Sequence, residues 1–267
     1  MIILVSLVQG ITEFLPVSSS GHLVLLPILT EQPYQGRTID VAAHVGTFFA
    51  VTFFLRAEII RIAIGICSFG KQNQNDALFG LMLIVATIPV IAAGFYVNYA
   101  NWQWLTMIET LAWSNLVFAV LLWCADRYGK TFKDMHAMRF SSAIYIGLAQ
   151  ICALVPGASR SGVTMTAARM LGFDRIAAAR FSLLLSLPTI AGAGVLKTRD
   201  LVKDGDLALG SDAALVAVFS GLLAFMAMRA MMAWLARANF NIFVYYRLAL
   251  GIILLWAIQN EMITQLV

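Results

Sequence analysis

Glu13 and Arg160 are ionisable side chains inside apolar stretches, where a charge costs roughly 3 kcal/mol or more and is retained chiefly for function. They have opposite sign, and each adjoins a break rich in Ser, Pro and Gly. Around Glu13 the chain offers Gln9 one helical turn earlier, on the same face by i, i+4 spacing, then Ser18, Ser19, Ser20 and His22. Around Arg160 it offers Gly157, Ser159, Ser161 and Thr164. This inventory suits a phosphate-type ligand. Arginine presents a permanent charge and a planar fork to phosphate oxygens, hydroxyls and backbone N–H groups add donors, and the helix N-terminus beyond each break adds positive dipole. A carboxylate with a neighbouring amide can hold a divalent cation, which binds through one or two carboxylates together with substrate phosphates. Serine beside a histidine or glutamate makes an activated nucleophile available.

Each of these residues also has a bland reading. Ser, Gly and other small residues in apolar helices ordinarily serve close packing, and one such patch alone would be read so. Two patches, each with its own ionisable residue, reverse that weighting. His44 reads as a polar residue bonded within a bundle, Glu109 and Arg247 as interfacial or structurally paired, and Asp40 and Glu58 as solvated helix ends. Trp102, Trp104 and Tyr99 read as an interfacial belt.

The elements that must position the candidates are helices in a membrane. With 61% hydrophobic and 12% charged residues, the chain lies far from the soluble norm of about a quarter charged. Spanning segments must satisfy their backbone internally, and no alternating barrel pattern of short strands is present. Candidate spans run over roughly 40–58, 77–97, 105–124, 176–196, 213–234 and 244–262. Two further segments, about 2–30 and 141–170, are apolar but interrupted, at Leu15-Pro16-Val17-Ser18-Ser19-Ser20-Gly21 and at Val155-Pro156-Gly157-Ala158-Ser159-Arg160-Ser161-Gly162. Each has the form of a helix that enters the bilayer, unwinds and turns back. The N-terminal run carries Glu13 ahead of Pro16 and lacks a basic leader, so it is expected in the mature protein.

The expected fold is therefore an all-α integral membrane protein, six transmembrane helices plus two re-entrant helical hairpins, forming one membrane domain over 1–267. Each hairpin precedes three spans, which gives a first repeat over 1–125 and a second over 140–267. An odd number of crossings per half inverts the second half, and paired broken helices in inverted repeats place a site at their interface. The layout puts Arg56, Arg61, Lys71, Arg127, Lys130, Lys133, Arg139, Arg169, Arg175, Arg180, Arg229 and Arg237 on one side, against Arg37, Lys197, Arg199 and Lys203 on the other. The first side is then cytoplasmic, and the hairpin at 2–30 enters from the outer face. Cys67, Cys124 and Cys152 show neither a disulfide framework nor metal-ligand spacing. No basic tract suggests nucleic acid, and no zinc site, Walker loop or dinucleotide fingerprint occurs.

At the two breaks the sequence resembles the undecaprenyl-diphosphatase family, BacA/UppP. Gln9 through His22 is similar to its (E/Q)xxxE motif followed by SSxGH, and Pro156 through Thr164 to its PGxSRSxxT motif. The resemblance implies removal of the terminal phosphate from undecaprenyl diphosphate, a lipid carrier for peptidoglycan, in the bacterial plasma (inner) membrane, with divalent-cation dependence (Mg or Ca) and a link to bacitracin resistance. It implies Ser19 as nucleophile, Glu13 and His22 as activating or proton-relaying groups, and Arg160 as the diphosphate clamp. Glu13 with Gln9 would be the metal-linked pair, and Ser18, Ser20, Gly157, Ser159, Ser161 and Thr164 the substrate-binding set. Gln9 takes the amide alternative of its motif, which leaves Glu13 the sole anion there. Expected partners are the lipid diphosphate and membrane lipid, with a homodimer as candidate assembly.

Two rivals frame this reading. A PAP2-type phosphatase has an element like Ser20-Gly21-His22, but it needs a histidine where this chain has Thr166, and a Lys/Arg-Pro motif that is absent. A secondary transporter or lipid flippase shares the inverted-repeat architecture.

Overall fold

The computed structural model describes residues 1–32, 34–204 and 210–263, with the side chains of 195–204 outside the description. Eleven α-helices occur among the described residues: α1 (Ile2–Thr12), α2 (Ser19–Thr30), α3 (Arg37–Phe54), α4 (Arg56–Cys67), α5 (Gln74–Ala100), α6 (Ile108–Tyr128), α7 (Phe140–Ala149), α8 (Arg160–Met170), α9 (Arg175–Asp204), α10 (Ser211–Leu235) and α11 (Asn241–Gln259). A 3₁₀ turn over Gln150–Leu154 prolongs α7. The side chains of Lys197, Arg199 and Lys203, part of the charge asymmetry drawn from the sequence, lie outside the described residues.

Polarity is distributed as a lipid solvent demands. Ile84 and Ile88 on α5, Val117 and Val120 on α6, Leu222 and Met226 on α10, and Ile252 and Ile253 on α11 are exposed, whereas Gln9, Thr47, Asn115, Gln150, Ser182, Ser186 and Arg247 are buried. A water-soluble bundle would reverse that pattern. In a bilayer the exposed isoleucines lose nothing, and the polar groups must find one another inside.

Among the described residues five helices are long and apolar enough to cross a membrane: α5, α6, α10, α11 and the Arg175–Gly194 part of α9. The sixth candidate, at 40–58, differs from expectation. Its helix α3 begins with Arg37 and Asp40 in the first turn and stops at Phe54, so it is shorter than those five. Residues 56–58 belong instead to α4, a twelve-residue helix not expected from the sequence, where Arg56 and Arg61 read as loop charges and Glu58 as a solvated helix end. Ile60, Ile64 and Ile66 are exposed along α4, the mixed character of a helix lying at an interface.

Both interrupted segments form two short helices either side of a break, α1 packing on α2 and α7 on α8. α1 and α3 pack on α10, while α7 and α9 pack on α5, and α6 pairs with α11. Helices approach closely where small residues face backbone. A Cβ built on Gly46 of α3 would lie 1.9 Å from the Ala217 carbonyl oxygen of α10, and one on Gly147 of α7 would lie 2.3 Å from that of Ala86 on α5.

The opposite end of the bundle is tied together by Asp126. Its Oδ1 accepts from Arg169 Nε at 3.0 Å and Arg175 Nε at 2.8 Å, and its Oδ2 from the Phe240 N–H at 3.2 Å. One buried carboxylate thus joins the C-terminus of α6 to α8, α9 and the α10–α11 turn. Arg180 pairs with Glu58 of α4 at 3.7 Å, which adds α4 to the same end. The helix ends and turns carrying Arg127, Lys130, Lys133, Arg169, Arg175 and Arg237 are therefore gathered together.

The packing separates two glycine classes. Ala at Gly46 must displace the α10 backbone, so G46A is expected to lower stability by about 1–3 kcal/mol. Gly94 has nothing nearer than Leu154 Cδ2 at 3.8 Å, so G94A is expected to be neutral or to gain about 0.5–1 kcal/mol from helix propensity. Thermal unfolding of the two variants in detergent distinguishes these signs.

Candidate active site

Each break ends with a serine whose backbone is left-handed. Ser18 (φ 71) precedes α2 and Ser159 (φ 69) precedes α8, an unfavourable conformation for a residue with a Cβ, costing roughly 1–3 kcal/mol. Such a backbone persists only where its surroundings hold it, and here the holder is Arg247 of α11. Its Nη2 donates to the carbonyls of Gly157 at 2.9 Å and Ala158 at 3.0 Å, and its Nη1 to that of Pro16 at 3.4 Å. Its Nε donates to Asn115 Oδ1 at 2.8 Å, while Asn115 Nδ2 donates back to the Arg247 carbonyl at 2.9 Å. The guanidinium is fully buried. It satisfies carbonyls that unwinding has removed from helical bonding.

Two further bonds fasten the breaks. Ser161 Oγ donates to the Leu15 carbonyl at 2.7 Å, joining the second break directly to the first. Ser114 of α6 donates to the Pro156 carbonyl. Gly157 has φ 88, and a Cβ there would sit 2.3 Å from the Leu111 carbonyl oxygen. Glycine is needed at that position for conformation and for close approach to α6.

Thus fastened, the breaks bring Glu13, Ser19 and Arg160 into one cluster. Glu13 closes the last turn of α1, and its Oε2 accepts from Ser19 Oγ at 2.7 Å and from Gln9 Nε2 at 2.9 Å. Its Oε1 accepts from Arg160 Nη2 at 2.9 Å. Arg160 Nη1 and Gln9 Oε1 are both buried without a hydrogen-bond partner. In a site this enclosed, such unmet groups mark where something else is to bind. The arrangement can do three things: deprotonate a serine hydroxyl, present a free N–H donor beside it, and offer an unpartnered amide oxygen.

The remaining candidates divide. Ser159 Oγ caps α8 by accepting from the Gly162 N–H at 3.1 Å. Thr164 Oγ1 lies 2.7 Å from Ser182 Oγ of α9. Ser159, Ser161 and Thr164 therefore act in the structure as fasteners of the second break. Ser18 Oγ is 3.5 Å from Ser20 Oγ, and Ser20 is exposed. His22 is turned away from Glu13, with Nδ1 2.7 Å from the Ser18 carbonyl oxygen and Nε2 2.5 Å from Tyr246 Oη.

Sequence reasoning left Arg247 as a structural pair, and it did not single out Asn115 or Tyr246. A basic residue in an apolar span was the available signal for Arg247; nothing local marks the other two, whose roles exist only through α6 and α11. His44, read as a bonded bundle residue, has Nδ1 2.7 Å from the Asp40 carbonyl oxygen and stands within electrostatic reach of Glu13.

Fold and site together define a polytopic all-α membrane protein whose two broken helices meet at a half-buried serine–carboxylate–guanidinium centre. The chain belongs to the BacA family: the family model described as bacitracin resistance protein BacA matches residues 2–253. Among curated relatives, proteins named undecaprenyl-diphosphatase from Roseobacter denitrificans and Alteromonas mediterranea are each 42% identical over 257 residues, covering 95% and 96% of this chain and 96% and 97% of theirs. One of the same name from Ruegeria pomeroyi is 43% identical over 257 residues, 95% of this chain and 96% of that one.

If Arg247 holds both breaks, R247M leaves several carbonyls and the Asn115 amide oxygen unpartnered in a dry interior and should cost about 3–5 kcal/mol. R247K should recover only part of that, because one ammonium cannot span carbonyls on two breaks as the planar fork does. Unfolding midpoints of the two variants in detergent provide the check.

Proposed function

We infer that the protein is an undecaprenyl-diphosphate phosphatase, a hydrolase that converts undecaprenyl diphosphate to undecaprenyl phosphate and phosphate and so returns the lipid carrier to envelope synthesis. The observation that carries the chemistry is the Ser19–Glu13–Arg160 cluster: a hydroxyl on a carboxylate at 2.7 Å, with a guanidinium on the other carboxylate oxygen at 2.9 Å.

Phosphoryl transfer asks little covalent work of the protein and much positioning and charge stabilisation. Under this reading Glu13 accepts the Ser19 proton as Oγ attacks the terminal phosphorus and the bond to the bridging oxygen breaks, so that undecaprenyl phosphate leaves; water then hydrolyses the phosphoserine, releasing phosphate and restoring the hydroxyl. Arg160 turns its free Nη1 to the phosphate oxygens, where negative charge is spread in the transition state. The aligned Gln9 Nε2 keeps the carboxylate oriented while the proton transfers. His22 bonds to neither Ser19 nor Glu13, so Glu13 alone is the base on Ser19. The lipid tail lies against the apolar faces between helices, and the diphosphate reaches the breaks.

A divalent cation, Mg or Ca, fits the donor set in a limited way. No group of three or more His, Cys, Asp or Glu side chains converges among the described residues. Glu13 and the unpartnered Oε1 of Gln9 would hold a cation bound mainly through substrate phosphates and water, as hard cations commonly are. When bound, the cation neutralises charge on the transferred phosphoryl group.

Two features of the fold support the inverted repeat. Helix pairing is exchanged between the halves: α1 on α10 matches α7 on α5, and α3 on α10 matches α9 on α5. Both breaks also pass through a left-handed serine into a helix. The gathered basic loops support a cytoplasmic assignment for their end, which turns the site toward the outer face of the plasma membrane.

Purified protein in detergent should release phosphate from undecaprenyl diphosphate, where no gradient exists for a transporter to use. S19A and E13Q should each reduce turnover by at least about a hundredfold, the usual scale for loss of a nucleophile or its base. Near-normal turnover in S19A removes Ser19 as nucleophile. Labelled phosphate trapped on Ser19 identifies a covalent route, and its absence from an active enzyme points to a water nucleophile. R160K should lose more in kcat than in KM, since its ammonium keeps charge but not the fork.

A further inference from the structure

Tyr246 is adjacent to Arg247 on α11 and stands outside the Ser19–Glu13–Arg160 cluster. Its Oη lies 2.5 Å from His22 Nε2, and the two rings stack with centroids 5.6 Å apart and 10° between their planes. The other ring nitrogen, Nδ1, lies 2.7 Å from the Ser18 carbonyl oxygen. A carbonyl oxygen only accepts, so Nδ1 carries the hydrogen. In the neutral ring Nε2 is then the acceptor, and the Tyr246 O–H donates to it. The imidazole is thereby held at both ends, by the backbone of the left-handed Ser18 and by a phenol on α11. The same turn of α11 holds the carbonyls of the two breaks through Arg247, so ring and breaks share one reference frame.

We propose that Tyr246 is a positioning residue for the hydrolysis: with the Nδ1–H tautomer already set by the Ser18 carbonyl, its O–H donates to His22 Nε2 and fixes the plane of the ring. The inference rests on the phosphatase reading and deepens it. Glu13 handles the Ser19 proton, while the Tyr246-held imidazole is a second proton-handling group at the mouth of the same break. Without the phenol, Nδ1 keeps its bond to Ser18, but the ring loses the contact that fixes its plane and the occupancy of Nε2. The effect of Tyr246 therefore passes through His22 and leaves the Arg160 clamp untouched.

The test uses the full-length protein in detergent with undecaprenyl diphosphate. Y246F preserves the aromatic stack, so its melting temperature should stay near that of the parent. It is expected to lower kcat about tenfold, with KM changed less than about twofold. The double variant H22N/Y246F should be no slower than H22N, because a residue acting only through His22 has nothing left to position. The chain has three histidines, so ¹⁵N spectra of the parent, with H22N to assign the signal, report the His22 tautomer directly. The parent and Y246F should both show Nδ1–H, set by the Ser18 carbonyl, with the Nε2 signal displaced in Y246F because its hydrogen-bond donor is gone. Multiplying losses in the double variant, or an unchanged Nε2 signal with normal kcat in Y246F, overturns the proposal. If the parent releases no phosphate at all, the phosphatase reading falls, and the Nε2 signal, which needs no turnover, still decides whether Tyr246 holds His22.

Discussion

A helix broken inside a membrane exposes carbonyls that have no water to turn to, and everything at this centre depends on how that need is met. Arg247 meets it for both breaks. Its fork reaches Pro16 on one side and Gly157 and Ala158 on the other, and Asn115 holds the fork in plane. An unsatisfied backbone group in hydrocarbon costs several kcal/mol, more than the unfavourable φ of Ser18 or Ser159 is worth relieving. The breaks are therefore stable in a shape that neither would adopt alone. Asn115 and Arg247 come from α6 and α11, helices that lie outside both hairpins, so the whole bundle must assemble before the centre exists.

With the breaks held, the electrostatics of the centre follow. Glu13 and Arg160 are both largely withdrawn from the surface and each would be costly in isolation; paired at 2.9 Å they offset one another. Such pairs seldom stabilise a protein relative to apolar substitutes, and their persistence points to use. The pair is incomplete in an informative way. Arg160 retains a donor and Gln9 an acceptor without partners. The serine hydroxyl on the shared carboxylate supplies what a binding protein or carrier would not require.

A second buried ion group at the far end has a different character. Asp126, Arg169 and Arg175 satisfy one another and the surrounding carbonyls of Lys130, Phe173 and Gly129. None of its buried side-chain polar atoms lacks a hydrogen-bond partner. The contrast between a saturated network and one with free valences separates the structural charge cluster from the chemical one, although each contains a buried arginine beside an acid.

By itself the sequence determined the membrane class, the helical fold, the two breaks with their boundaries, and Ser19, Glu13 and Arg160 as chemical candidates. These were legible because each is a local violation of an otherwise uniform apolar pattern, and lipid makes such violations expensive. It also placed Gln9 and Glu13 on one face, since i, i+4 spacing is a property of the helix alone. The status of α3 and the existence of α4 were not legible, because Arg56, Glu58 and Arg61 look alike in a loop and in an interfacial helix. Only the tertiary structure decided which of these polar side chains the fold itself engages. Ser159, Ser161 and Thr164 resemble Ser19 in type and setting, yet their hydroxyls bond to Gly162, Leu15 and Ser182. His22 is near Ser19 in sequence, but it faces Tyr246 on α11. Hydrogen-bond direction depends on partners more than a hundred residues away, and local spacing holds no information about them.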